Sequence, residues 1–411
     1  MNKYIAIFTL AALCARAAFA ADNLTPPANT LVQPATDGIF EAFKTHPLVG
    51  LGDDHGLAQG MEFYAALIRD PRFAREVGNV VVEFAAGGRQ DVLDRYVAGA
   101  TVPYTELRTV WTDTVGWIPP AGYLGFAQFL AAVRATNKTL PPNKRIRLWA
   151  GEPPIDWSTA TRGQTLSAMN LRDSRPAELI AQNILGKDRK ALVIYGSLHF
   201  GGGEWLRGRV EAQHRGAFFI VLPYNDQLSR AACAPLLESA AKVWPAPALA
   251  APGRGGIPDT ALLECAKLGS SGVGSFVLTP GSAAPAPNAD SGSTRQSVTI
   301  VTAPITNNAR PWAVDGDAVL FYGPLEKLTK GPYLPDYVLD TSLRREMARR
   351  GQVGAPPLVR FPRDLVLRKA DYKVDLDVPD FAEKIAAMFT QYDRNGDGII
   401  GAEEYVDPIP R

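Results

Sequence analysis

Five short runs of the chain, PLVGLG (47–52), NVVVEF (79–84), IRLWA (146–150), ALVIY (191–195) and AFFIVL (217–222), are apolar almost without interruption. A strand with one wet face alternates in polarity, so continuous apolar runs of this length suit strands covered on both faces. The stretches between them, at 59–69, 90–97, 127–136 and 178–185, space their apolar residues at helical intervals. Strands alternating with helices predict an α/β fold, a mostly parallel sheet with helices on both faces, spread over residues 21–350. Composition permits it: 46% of the residues are hydrophobic, enough for a sizeable core, and three cysteines are too few for a disulfide scaffold. With 43 Lys and Arg against 42 Asp and Glu, the chain offers no electrostatic footprint for nucleic acid or an anionic membrane.

The first twenty residues read as a signal peptide. Lys3 supplies the positive start, residues 5–13 the apolar stretch, and Ala18-Phe19-Ala20 a small-x-small cleavage site before Ala21. The apolar stretch is shorter than a bilayer span, and Leu13 is too large for a lipidation signal at Cys14. A secreted or periplasmic protein is expected, with no membrane attachment once the leader is removed. In such a compartment Cys233 and Cys265 are candidates for a bridge, the alternative being two buried thiols.

From 226 to about 296 the chain turns rich in Ala, Pro, Gly and Ser, which reads as loop or insertion. Strand-like runs return at 297–302 (SVTIVT) and 317–322 (DAVLFY), followed by a helix at 343–350 whose four arginines (Arg344, Arg345, Arg349, Arg350) read as a solvated face. A linker at 351–378 then leads to a small helical module at 379–411.

That module carries the most specific motif. Asp393, Asn395, Asp397, Ile399 and Glu404 stand at positions 1, 3, 5, 7 and 12 of an EF-hand loop, with Gly398 at position 6. Ca²⁺ takes six to eight hard oxygens, and this spacing wraps side-chain oxygens, one backbone carbonyl and a bidentate carboxylate around one ion. Gly401 at position 9 has no side-chain oxygen, so water is expected there. Residues 381–392 supply the entering helix. A single loop with three ligand carboxylates predicts weak binding, about 0.1 to 1 mM, and a structural clip rather than a sensor.

Four strand candidates end in residues able to do chemistry: Gly52-Asp53-Asp54-His55, Glu83, Gly151-Glu152 with Asp156 nearby, and Gly196-Ser197-Leu198-His199. In open parallel sheets the ligand crevice lies beyond the carboxyl ends of the strands, where these side chains converge. His55 and His199 share a Gly-x-x-His setting. Asp53 and Asp54 are placed either to orient His55 or to cap the next helix, and Glu152 and Asp156 either to serve the crevice or to hold turns. Glu83 ends an apolar strand, and its burial demands an Arg, a His or a metal beside it.

The segments LVGLGDDHG, NVVVEF, DVLDRYVAG, GEPPIDW and LVIYGSLHF resemble the superfamily joining erythromycin esterase-like proteins, TraB/Tiki metalloprotease-like proteins and ChaN-like haem-uptake proteins. The resemblance covers about 36–225, with 297–350 as a further stretch, and implies that His55, Glu83 and His199 form the site. One departure is that the first motif usually begins Gly-Glu, whereas Gly52-Asp53 stands here.

Three readings follow for the large domain. One is an esterase- or peptidase-like hydrolase acting on an unknown small molecule or peptide, with His55 or Glu83 as base for a water, or with His55, Glu83 and His199 holding a second divalent metal. A second is a non-catalytic binder of haem, with Tyr195 and His199 as axial ligands, or of another small ligand. A calcium-clipped interaction scaffold is the third possibility. Gly-x-Ser-x-Gly, His-Glu-x-x-His and phosphate-loop motifs are missing, which argues against those hydrolase classes.

Overall fold

The computed structural model describes residues 30–116, 122–224, 242, 244–252, 267–269, 313–355, 365–401 and 403–405. The leader, Cys14, Cys233, Cys265 and the strand expected at 297–302 lie outside these residues.

The strands in chain order are β1 (Thr30–Pro34), β2 (Leu48–Asp53), β3 (Asn79–Ala86), β4 (Arg147–Glu152), β5 (Ala191–Gly196), β6 (Phe218–Pro223), β7 (Ala248–Pro252), β8 (Lys267–Gly269), β9 (Ala313–Asp315) and β10 (Ala318–Phe321). Eight of them form one sheet in the order β1-β7-β10-β6-β2-β5-β3-β4, while β8 and β9 pair separately. The six strands from β10 to β4 in that order run parallel, and β7 runs antiparallel to both β10 and β1. Every residue of β2, β3 and β5 is buried, which is why their sequences do not alternate.

One core lies between the sheet and helices Ala58–Arg69, Gln90–Val97 and Leu124–Lys138; a second lies on the opposite face under Ser174–Asn183 and Leu206–Glu211. From β2 the chain leaves through Ala58–Arg69 on the first face. From its neighbour β5 it leaves through Leu206–Glu211 on the second. Adjacent strands sending their connections to opposite faces open a crevice at their carboxyl ends, and Asp53 pairs in register with Gly196 at that point.

Three expectations need correction. The insertion at 226–296 contains β7, which fills the sheet between β1 and β10; its Ala-Leu-Ala-Ala-Pro sequence is too small and too Pro-rich to signal a strand. Helix Thr341–Gln352 does not present a solvated arginine face, because Arg344 and Arg350 are buried. Arg350 donates to the Thr112 carbonyl (2.6 Å) and to Asp113 (2.9 Å), so its partners come from distant sequence. The described residues of the expected linker are packed. Leu367, Tyr372 and Leu376 enter the first core, and β11 (Leu367–Arg368) pairs antiparallel with β12 (Ile399–Ile400). Helix Phe381–Tyr392 buries Phe381, Ile385 and Phe389 in the same core, and Tyr392 donates to the Leu339 carbonyl at 3.0 Å.

Gly151 on β4 makes room for the Tyr195 side chain, which reaches it from β5 across β3: a methyl group there would overlap the Tyr195 hydroxyl and lie 2.8 Å from the Val82 carbonyl. Gly151→Ala is therefore expected to cost about 1 to 3 kcal/mol or more by overpacking, read as a lower urea midpoint at unchanged m. Tyr195→Phe in the same chain should recover part of that loss.

Candidate functional site

Glu83 sits where β3 parts from β5. Their register covers only Val80 to Val82, and beyond it the Glu83 carboxylate takes over, its Oε2 accepting the Gly196 N–H at 2.7 Å. The other oxygen, Oε1, accepts from Arg172 Nη2 (2.6 Å) and lies 3.3 Å from His199 Nε2. Arg172 Nε reaches Glu152 Oε1 at the end of β4 (2.7 Å), and Glu152 Oε2 accepts the Gly116 N–H (2.9 Å). His199, in the turn Ser197–Phe200, hydrogen-bonds through Nδ1 to Asp173 Oδ1 at 2.7 Å.

His55 follows β2. Its Nδ1 lies 2.8 Å from Asp53 Oδ2, and a carboxylate only accepts, so Nδ1 carries the proton. Asp53 Oδ1 accepts from the Tyr64 hydroxyl at 3.0 Å. The opposite ring nitrogen, Nε2, points to the centre: a methyl group placed on Gly196 would lie 3.2 Å from it and 3.3 Å from Glu83 Oε2. Gly196 thus lets both groups come close to the backbone, since even a methyl group there would be crowded. Among the described residues Nε2 has no hydrogen-bond partner, and the His55 side chain is 33% exposed, against 9% for Glu83 and His199.

These contacts separate the protonation states. Burial opposes the charged form of His199, but the Glu83 charge and the Asp173 hydrogen bond overcome it and raise the ring to about 9. Burial also opposes ionisation of Glu83, yet His199, His55 and Arg172 hold it well below the usual carboxylate range. His55 is raised as well, burial being outweighed by Asp53 and Glu83. At neutral pH Glu83 is ionised and His199 carries two protons.

The residues expected from the strand ends, Asp53, His55, Glu83, Glu152 and His199, are thus brought together. Asp53 orients the His55 ring rather than capping a helix. Asp54 instead pairs with Lys330 at 2.6 Å, and Asp156 is exposed, its oxygens accepting from Ser158 and Thr159 in a turn. Tyr195 is fully buried, its hydroxyl without a partner among the described residues, and both His199 nitrogens are engaged. Arg172, Asp173 and Tyr64 went unread, because they lie in a helix-to-helix turn and inside a helix rather than after a strand. The signal available was indirect: a buried Glu83 requires a cation.

The donor set does not suit a divalent ion at Glu83. Both carboxylate oxygens are spent, and two cationic groups already stand on Oε1. No group of three or more His, Cys, Asp and Glu side chains placed to hold a metal ion is found among the described residues.

At the C-terminal loop, each oxygen-bearing side chain curls onto nearby backbone. Asp393 accepts the Gly396 and Gly398 N–H groups, Asn395 that of Asp397, Asp397 that of Ile399, and Glu404 Oε1 those of Arg394 (2.9 Å) and Asn395 (3.3 Å). Gly396 and Gly398 adopt φ of 77° and 80°, open to glycine without strain.

No family model and no curated protein match the chain. Solved structures with a similar outline include the type III effector HopBA1 (12% identity, 49% of this chain and 90% of that one, TM-score 0.30). A protein from Bacillus cereus matches at 10% identity over 71% and 94% (TM-score 0.41), and the ChaN of Campylobacter jejuni, solved with cofacial haem, at 12% over 46% and 86% (TM-score 0.28). At this distance they bear on nothing in the chemistry of the site.

The His199 shift ties stability to pH. A raised imidazole contributes fully below its ordinary value near 6.5 and loses that contribution as pH climbs through about 9. Stability is expected to fall by an amount on the order of 3 kcal/mol between pH 6.5 and 10, with His199→Gln flattening this limb in urea titrations followed across that range.

Proposed function

We propose that the crevice hydrolyses an ester or amide by activating water, with His55 as general base. The observation that carries this reading is the His55 ring itself: Nδ1 is held by Asp53 at 2.8 Å, which leaves the Nε2 lone pair without a hydrogen-bond partner among the described residues, on a side chain that is 33% exposed. Nε2 would take a proton from water as its oxygen adds to the substrate carbonyl carbon, then return that proton to the departing alkoxide or amine. Arg172 and protonated His199, both held at Glu83 Oε1, are the positive charges that would offset the oxyanion formed at the carbonyl oxygen. Glu83 is too weak a base to share the work, and its role is to hold these two cations and the Gly196 N–H. Four carboxylates (Asp53, Glu83, Glu152, Asp173) outnumber Arg172, His199 and His55 even when both rings are charged, which favours neutral over anionic substrates.

Calcium at 393–404 is proposed on the loop's residue order, since Asp393, Asp397 and Glu404 are turned to backbone N–H groups and not gathered around an ion. The donors are hard oxygens in the expected order, and hydrogen bonds already curl the loop around its own centre, with Glu404 drawn back to the loop's first residues. Asp393, Asn395, Asp397, the Ile399 carbonyl and Glu404 would hold the ion, and the β12 pairing with β11 would tie it to the body. Export through removal of residues 1–20 is part of the same proposal and suits a site tuned to extracellular calcium.

Turnover of a panel of p-nitrophenyl esters and aminoacyl amides by the full chain tests the first reading. His55→Ala is expected to lower kcat/KM about 100- to 10,000-fold. The pH profile should rise as His55 loses its proton, with a midpoint above the ordinary imidazole value, and fall again near 9 as His199 loses its own. An active His55→Ala protein would overturn it. For calcium, calorimetry should find one site of about 0.1 to 1 mM, absent in Glu404→Gln, and 10 mM Ca²⁺ should stabilise the protein by about 1.4 to 2.7 kcal/mol.

A further inference from the structure

The proposed base depends on which of its nitrogens carries the proton, and the Asp53 carboxylate decides this. Asp53 is almost completely enclosed, its side chain 3% exposed, so both oxygens need partners inside the protein. Oδ2 serves His55 Nδ1, and Oδ1 serves the Tyr64 hydroxyl. A carboxylate gripped at one oxygen cannot turn about its Cβ–Cγ bond without breaking that bond, so the grip on Oδ1 fixes where Oδ2 points.

Tyr64 is built to provide the grip. It is 1% exposed on helix Ala58–Arg69, which starts just after the His55 turn, and its ring meets Phe129 edge-on (centroids 6.5 Å apart, 87°) and lies edge-on to Phe63 as well. Held by packing on both sides, the ring cannot swing its hydroxyl away. Burial, together with Asp53, pushes the hydroxyl well above the ordinary phenol value, so it remains a donor through the working pH range. The other charged groups facing His55 act elsewhere. Glu83 and His199 stand toward the Nε2 side, and Lys330 donates to the His55 backbone carbonyl and to Asp54.

We infer that Tyr64 is a positioning residue for His55: by holding Asp53 Oδ1 it fixes the direction of Oδ2, and with it the Nδ1–H bond that sets the ring and aims Nε2. The inference rests on the reading of His55 as base, and extends it to a residue that touches neither substrate nor water. It also accounts for an aspartate at position 53, since a short side chain at the end of β2 reaches both the ring two residues on and the phenol eleven residues on.

The test is the ¹⁵N NMR tautomer signature of His55 in the full-length chain, recorded above its titration midpoint. The wild type is expected to give the Nδ1–H form. In Asp53→Asn, Tyr64 would still donate to the amide oxygen, which turns the amide NH₂ toward Nδ1 and inverts the ring, the Nε2–H fraction going from below about one tenth to above about nine tenths. In Tyr64→Phe the carboxylate still accepts from Nδ1, so the Nδ1–H form should persist while its hydrogen-bonded proton signal moves upfield as the bond loosens; in the double variant the inversion should be incomplete, because the amide is free to flip. Retention of the Nδ1–H form in Asp53→Asn, an unchanged Nδ1–H proton signal in folded Tyr64→Phe, or complete inversion in the double variant overturns the inference. Asp53→Asn keeps size and packing and decides the matter alone if Tyr64→Phe fails to fold. No substrate enters the experiment, so a chain without hydrolytic activity would sink the base reading while leaving the tautomer result standing.

Discussion

A carboxylate buried at the end of a parallel strand is the constraint around which this site is arranged. Glu83 cannot sit ionised among apolar neighbours without compensation, and it receives three kinds: a backbone N–H from Gly196, a guanidinium from Arg172 and an imidazolium from His199. Each partner arrives on a different element, so the one ionised group ties β3 to β5, to the turn before helix Ser174–Asn183 and to the turn after β5. The ties continue outward, since Arg172 also holds Glu152 and His199 also holds Asp173.

The arrangement divides two similar histidines into different roles. Both follow a strand in a Gly-x-x-His setting and both have Nδ1 on an aspartate. His199 turns its second nitrogen to Glu83 and is held protonated; the second nitrogen of His55 has no hydrogen-bond partner among the described residues. On the proposed reading one ring serves as a fixed cation and the other as the base, a difference that arises from which group each ring meets rather than from the rings themselves.

Much of the sheet was legible because burial on both faces leaves a plain mark, a run of apolar residues with no alternation; β2 to β6 were found this way within a residue or two. β7 was not, since a strand of Ala, Leu and Pro in a low-complexity stretch has the composition of a loop, and only its neighbours β10 and β1 make it a strand. The buried arginines of helix Thr341–Gln352 were hidden for a similar reason. Arginine is ordinarily solvated, and Arg350 is internal only because Thr112, Asp113 and Trp157 happen to meet it there. The packed segment 365–378 carries its buried residues without either regular period, so nothing in the order of its residues announced a core.

By itself the sequence determined the α/β alternation, the residues standing at the strand ends, and the ordered oxygens of the C-terminal loop. All three are local, set by periodicity or spacing along a few consecutive residues. Which charges those residues carry, and which partners they keep, was decided only by the tertiary structure. Arg172, Asp173 and Tyr64 stand 89, 26 and 11 residues from the groups they hold. Hydrogen bonds and ion pairs in a buried site depend on distances of a few ångströms between such separate segments, and those distances exist only once the sheet has brought the strand ends together.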